Sequence, residues 1–338
     1  MNMVEMQSDS SRETTGLDTI VGLDVGGSKV VLVEGTGQAE ILQRRIVSID
    51  VHEPFEDAFP ALAVSIEEVM RAAKAEGRTV AALSVSIGGP LRINDGVLLE
   101  PPHLPGWHNT RLKDRLRWRF PGLPVFIEHD GNAGALAEFY FGIGRKRQNL
   151  QHLVFLTFGT GLGAGIIVNG QVVYGASDTA GELGHWRLAE SGPSAYGKIG
   201  AWEALASGTG LVQLASRRFP DRWSESTPVR QLVDAMLGDD PQALVVAAEA
   251  GAWMGRGLAL ILDALNPEVI VLGSLAVLLG DRVLAAAREV IAKEALPEAV
   301  AACEIAPAVL GLRIGDVASL MAALTRPAVR KSPNGELA

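Results

Sequence analysis

The run Asp24-Val25-Gly26-Gly27-Ser28-Lys29 brings a carboxylate, two glycines, a hydroxyl and an ammonium together within one short turn. Glycines without Cβ let backbone amides close on phosphate oxygens, and Ser28 and Lys29 add further donors. Asp24 stands where it could hold a hydrated Mg²⁺. An ordinary Gly-Gly β-turn would use the same glycines. A second run, Gly159-Thr160-Gly161-Leu162-Gly163-Ala164-Gly165, superficially matches a dinucleotide fingerprint. That fingerprint needs a helix straight after its glycines, whereas IIVNGQVV reads as strand and turn, so a phosphate-gripping hairpin is expected instead. In Ile270-Val271-Leu272-Gly273 an apolar strand runs into a glycine, where an adenosine could lie against exposed backbone.

Glu128-His129-Asp130-Gly131-Asn132 sets a carboxylate at a strand-to-helix junction. Asp130 there reads either as a helix N-cap or as a general base, the group an attacking alcohol needs during phosphoryl transfer. Glu182, His185 and Glu203, with glycines around the first two, suit a polyol, because carboxylates and imidazole fix the direction of each hydroxyl hydrogen bond. Taken singly, His185 would also serve as a structural histidine and Glu203 as a solvated helix residue.

These groups must be held by strands and turns. Residues 19–33 carry β-branched runs about a Gly-Gly turn and predict a hairpin. A helix is expected over 56–76, stopped by Gly77, then a buried strand ending in Gly88-Gly89-Pro90. A short basic helix over 110–120, a strand over 125–127 and a helix with a small-residue face over 130–141 follow. From Leu153 the opening pattern recurs, since LVFLTFGTGLGAGIIVNGQ aligns with IVGLDVGGSKVVLVEGTGQ, and two such hairpins imply a fold built twice around a cleft. Beyond Gly197 the chain reads as helical apart from strands at 269–272 and 304–306. A last helix is expected over 316–324, after Gly315.

Composition narrows the class. With 338 residues and 48% apolar content the chain is long enough for two domains of α/β type. Its net charge of -9 disfavours general binding to nucleic acid or anionic membranes. The single cysteine, Cys303, excludes an intramolecular disulfide and multi-cysteine metal sites, and fits a reducing cytoplasm. Asp263, Asn266, Pro267 and Glu268 interrupt the most apolar stretch, so no membrane span is expected there.

Together, DVGGSK, FGTGLGAG, HDGNA and GELGH resemble, in order, the motifs of the ROK family, bacterial sugar kinases and sugar-responsive repressors. The resemblance implies the α/β, two-domain actin/hexokinase-like (ribonuclease H-like) fold with an interdomain active-site cleft. It implies a small N-terminal domain over 19–129, completed by a C-terminal helix over 315–326, and a large domain over 130–314; the composition of the ends themselves predicts a disordered tail over 1–18 and a frayed one over 327–338. Asp130 is then the catalytic base; Gly89, His103, His129, Glu182, His185 and Glu203 join it on the sugar side. Asp24, Gly26, Gly27, Ser28, Lys29, Gly159, Thr160, Gly161, Gly163 and Gly273 face ATP, with Mg²⁺ carried through water by Asp24. Hinges are expected near 128–130 and 312–316. The implied activity is glucokinase-like, transfer from ATP to a hexose or amino-sugar hydroxyl such as the 6-OH, by a cytoplasmic homodimer. The alternatives are a sugar-binding regulator without turnover and a repressor, the latter disfavoured by the short polar segment before the first motif.

The departures bear on chemistry. Thr is usual where Ser28 stands, and Asn where His103 and His129 stand, changes that alter donors and bulk around a sugar. In SAYGKIGAWE, Ser194, Tyr196 and Ala201 occupy positions where many members carry zinc-binding cysteines. One imidazole, His185, cannot close a four-ligand site, so no structural zinc is expected and packing by Tyr196 and Trp202 is expected in its stead.

Overall fold

The computed structural model describes residues 18–27 and 29–325. Ser28 and the tails expected over 1–18 and 327–338 lie outside the described residues, except Asp18, which begins the first strand. β1 (Asp18–Val25) and β2 (Lys29–Gly35) form the first hairpin, with Leu23 opposite Leu32, and β3 (Ile41–Ser48) adds antiparallel to β2. α1 (Phe55–Ala75) buries Phe55, Phe59, Leu62, Ile66 and Val69, the helical spacing that the sequence predicts. It ends one residue before the expected limit. Gly77 (φ +75°) donates to Lys74 O and Arg78 N to Ala73 O, closing the last turn. β4 (Thr79–Ile87) runs parallel to β1, followed by the small hairpin of β5 (Leu91–Arg92) and β6 (Val97–Leu98). α2 (Leu112–Arg119) leads to β7 (Val125–His129), parallel to β4, and the sheet order is β3-β2-β1-β4-β7.

α3 (Asp130–Phe141) follows at once, with the bounds expected. β8 (Leu153–Phe158) and β9 (Leu162–Val168) make the second hairpin, extended by β10 (Gln171–Val172). A small hairpin, β11 (Ser194–Ala195) and β12 (Lys198–Ile199), stands apart from both large sheets. Then come α4 (Trp202–Ala206), α5 (Gly208–Arg218), α6 (Val229–Leu237) and α7 (Pro241–Leu265). β13 (Val269–Ser274) lies parallel to β8, and α8 (Leu275–Leu279), α9 (Asp281–Glu294) and α10 (Pro297–Ala302) precede β14 (Glu304–Pro307). The order β10-β9-β8-β13-β14 repeats that of the first sheet.

The pleat sorts the cores. Val30 and Leu32 face α1, whereas Val31 and Val33 face the other way, into a middle layer. In the second sheet Val154 and Leu156 face the helices of α4–α9, and Leu153 and Phe155 face the same middle layer. That layer is filled by α3 and by α11 (Ile314–Thr325), through Ala133, Leu136, Leu320 and Met321. The small-residue face of α3 is a steric requirement: a Cβ on Gly131 would meet Ala164 O at 2.2 Å, so the helix rides on the backbone of β9. α11 begins two residues before the expected start, and Gly315 lies inside it. A Cβ there would meet Asp24 Oδ2 at 2.7 Å, which explains the glycine without a helix stop. α7 is long and apolar enough to cross a membrane, but Ala243, Val246, Ala250, Leu258 and Leu262 are packed into the second core.

Candidate active site

A cavity of about 590 Å³ separates the two halves, and both glycine hairpins line it. At its phosphate end Asp24 stands one residue before the end of β1, Gly26 and Gly27 form the turn and Lys29 opens β2. A Cβ on Gly27 would come no nearer than 3.5 Å to His103, so its lack of a side chain keeps the turn open rather than relieving a clash. Asp24 is pushed up to about 6 by burial and by the charges of Asp130 and Asp316, against Lys29 and Arg44. Arg44 is held by Asp316, its Nε lying 3.0 and 3.1 Å from the two carboxylate oxygens. Neither Arg44 nor Asp316 carries a motif, and the sequence reading missed both.

The second hairpin is braced from behind by α5. Gly208 N and Thr209 N donate to the carbonyls of Gly159 and Thr160, at 2.8 and 3.2 Å, and Ser207 caps the helix through Gly210 N. Gly161 is glycine for the sake of the sugar side: a Cβ would meet Glu203 Oε2 at 2.5 Å and His103 Nε2 at 2.7 Å. Gly163 faces Asp130, whose Oδ1 would lie 3.4 Å from a Cβ there. Gly273 lies within β13 against Phe155, and the residue lining the cavity is Ser274, one step along the pleat.

Asp130 is the first residue of α3, and its cap role is corrected by the geometry. The N-cap is His129, while Gly131 N donates to Asp130 Oδ1 at 2.6 Å and the carboxylate stays 40% exposed to the cleft. His129 Nδ1 lies 3.4 Å from Asp130 Oδ1, and His129 Nε2 lies 3.5 Å from Glu182 Oε1. Burial opposes a charge on this imidazole, but Asp130, Glu182 and Glu128 outweigh it and push it up to about 9. Gly131 N is closer to Asp130 than to His129 Nδ1, so it does not need the latter as acceptor. Glu182 is held low: burial works against its charge, and His129 overrides it. Gly89 abuts this pair, since a Cβ would meet His129 Cδ2 at 2.8 Å and Glu182 Oε1 at 3.2 Å. Behind them the fully buried Glu128 accepts from His129 N, Asn132 Nδ2 and Tyr174 Oη, fixing the strand-to-helix junction.

Glu203, in the first turn of α4, accepts from Leu162 N at 2.8 Å and Tyr196 Oη at 2.6 Å, both through Oε2. Its Oε1 lies 3.9 Å from His103 Nε2. Burial raises Glu203, but His103, Tyr196 and Leu162 together bring it below the usual carboxylate range, and Glu203 in turn raises His103. His185 stacks on Tyr196. Trp202 serves the core: it stacks on Trp186 and donates to Trp253 O. Thus every sugar-side residue expected from the sequence meets in one cavity.

Two sheets of repeated order about a central cleft define the actin/hexokinase-like fold. Within it the chain belongs to the ROK family, whose pattern matches residues 20–324. It lacks the cysteines at 194, 196 and 201. It is similar to a glucokinase of Thermotoga maritima, 28% identical over 297 residues, covering 85% of this chain and 91% of the relative. It is also similar to a xylose repressor of Caldicellulosiruptor bescii, 29% identical over 284 residues, covering 81% of this chain and 70% of the relative. Among solved structures, a ROK family glucokinase of Streptomyces griseus in complex with glucose and AMPPNP matches 90% of this chain and 98% of its own. Its TM-score is 0.75 and its identity 28%.

Proposed function

We propose that the protein is an ATP-dependent sugar kinase that phosphorylates a hexose or amino-sugar hydroxyl, with the 6-OH as acceptor. The observation that carries this reading is the Asp130 carboxylate at the meeting of both hairpins, in one cavity with Glu182 and Glu203. Asp130 accepts the hydroxyl proton as the O–H bond breaks and the oxygen bonds to the γ-phosphorus. The bond from that phosphorus to the leaving oxygen breaks, and ADP departs. Lys29 and the open turn of Gly26 and Gly27 meet phosphate charge on one side; Gly159, Thr160, Gly161 and Gly163 offer backbone on the other. Asp24 fits a hydrated cation, because burial, the main cause of its raised pKa, and the neighbouring charges of Asp130 and Asp316 both favour a positive partner beside it. Mg²⁺ bound with the nucleotide supplies charge neutralisation at the transferring phosphoryl group. Glu182, Glu203, His103 and His185 receive and direct the sugar hydroxyls, and His129 holds Asp130 and Glu182 in register. Closure of the halves excludes water from the reacting groups. A cytoplasmic homodimer without structural zinc, acting on a small sugar rather than on nucleic acid or membrane, belongs to the same reading.

The repressor among the relatives favours a second reading, a sugar-binding regulator without turnover. A coupled ADP-release assay with Mg-ATP against hexoses and amino sugars separates the two. The kinase reading expects turnover on at least one sugar, lost by a factor of about 10²–10⁴ in Asp130→Asn while sugar binding persists. Silence across the panel, with sugars still raising Tm, overturns it in favour of the regulator.

A further inference from the structure

The small hairpin of β11 and β12 pairs Ser194 with Ile199 and Ala195 with Lys198, leaving a two-residue turn of Tyr196 and Gly197. Both turn residues have left-handed φ, +57° and +66°. Such a turn selects Asn-Gly, and a bulky side chain at its first position is strained. Tyr196 bears this strain while making contacts that no asparagine could make. Its ring stacks on His185 with centroids 3.7 Å apart and planes 13° from parallel. Its hydroxyl donates to Glu203 Oε2 at 2.6 Å. Burial and the charge of Glu203 hold that hydroxyl protonated, so it is the donor. The hairpin itself is tied down independently: Gln213 bonds both backbone groups of Ser194, and Lys198 Nζ donates to His185 O at 2.7 Å.

We infer that Tyr196 is a positioning residue for sugar recognition: one strained side chain fixes the plane of His185 and the rotation of Glu203. With Leu162 N and Tyr196 Oη both on Oε2, Glu203 is left with Oε1 for a ligand, on the side of His103. A carboxylate locked in this way discriminates the direction of a hydroxyl; a freely rotating one does not. The inference rests on the reading of His185 and Glu203 as sugar ligands.

Two variants test it. Tyr196→Phe keeps the ring and removes the donor; Tyr196→Asn removes both and suits the turn. The sugar KM should rise about tenfold or more in Tyr196→Phe, the range for a hydrogen bond to a charged group, and further in Tyr196→Asn, with the ATP KM within twofold and the Tm of Tyr196→Asn not lowered. Preference among sugar epimers should flatten in both. Sugar and ATP KM rising together with a falling Tm, or a sugar KM unchanged in both variants, overturns the inference. If the wild-type chain neither binds nor turns over any sugar, the kinase reading fails, and spectra of histidine-labelled protein without ligand still decide the brace. The His185 ring signal should keep its stacking displacement in Tyr196→Phe and lose it in Tyr196→Asn. A signal identical in all three proteins refutes it.

Discussion

The two halves of the molecule repeat one strand order, yet they furnish the cleft with opposite chemistry. In the first half the charges sit on the sheet itself: Asp24 and Lys29 flank the hairpin turn and Arg44 projects from β3. Both Lys/Arg residues among the described residues lining the cavity come from this half. In the second half the hairpin turn is uncharged; Glu182 and His185 arrive from the long excursion between β10 and α4, and Glu203 from the first turn of α4. Duplication thus supplies two scaffolds for backbone, and function diverges in what is hung on them. At its hairpin the first half offers point charges, suited to phosphate, and it adds His103 and His129 on the other side of the cavity; the second half offers oriented acceptors, suited to hydroxyls, and a hairpin turn without charge.

The largest effect expected from this contrast tests that division. Lys29→Met should lower kcat/KM for ATP by about 10–100-fold, the loss of one charge-assisted contact, while Thr160→Ala in the second hairpin should change it less than threefold. Steady-state kinetics with sugar saturating measures both. Equal losses would mean that the second hairpin also grips through side chains, and the contrast between halves would fall.

How far the sequence could announce this arrangement depends on the range of the interaction. The limits of α3 were legible because glycine and alanine crowd one face of DGNAGALAEFYF, and the packing of Gly131 on Ala164 needs those residue types. Both hairpins were legible from alternating apolar runs about glycines. At the end of β13 the sequence points to Gly273, whereas the side chain exposed to the cavity is that of Ser274, with Gly273 packed on Phe155; which of two neighbours the pleat presents depends on a strand pairing that the local sequence does not carry. Asp130 reads equally as cap or base; the choice requires knowing that His129, at the end of β7, occupies the N-cap position and leaves Asp130 as the first residue of α3, with its carboxylate open to the cleft. For Tyr196 the sequence predicts only packing, since no local pattern reveals that its hydroxyl ends on Glu203.

A pH series sharpens the comparison. Asp24 is raised to about 6, so it gives up its proton only above that pH, and Mg-nucleotide affinity should weaken as pH falls through 6. Glu182 and Glu203 are lowered and remain charged there, and His103 is raised by Glu203 and keeps its proton as pH falls, so sugar affinity should change less over the same window. Titration calorimetry reads both; a parallel decline would erase the difference between halves. His129, at the joint, is raised from 6.5 to about 9. Its folded form binds the proton more tightly than the unfolded chain, so its contribution is full below 6.5 and is lost as pH rises through 9. The loss is on the order of 1–3 kcal/mol, given the coupling to two carboxylates. The wild-type Tm should fall by a few degrees between pH 7 and 9.5, and His129→Gln should abolish that decline.

The smallest effect concerns strain in the second half. Ser274 has φ 52° and ψ -115°, a conformation that suits glycine, and its hydroxyl lies 2.8 Å from Thr157 Oγ1 across β8 and β13. Replacing it by glycine relieves strain but also removes that hydrogen bond, so one variant cannot separate the two. Ser274→Ala loses the bond and keeps the strain. Ser274→Gly should therefore be more stable than Ser274→Ala by about 1 kcal/mol, after allowing for the added freedom of unfolded glycine, a Tm difference of about 2–4 °C. Equal melting temperatures would show that the backbone relaxes without cost. The second half would then hold strain at Tyr196, on the sugar side, and none beneath the phosphate hairpin, so that its two working surfaces differ as much as the halves do.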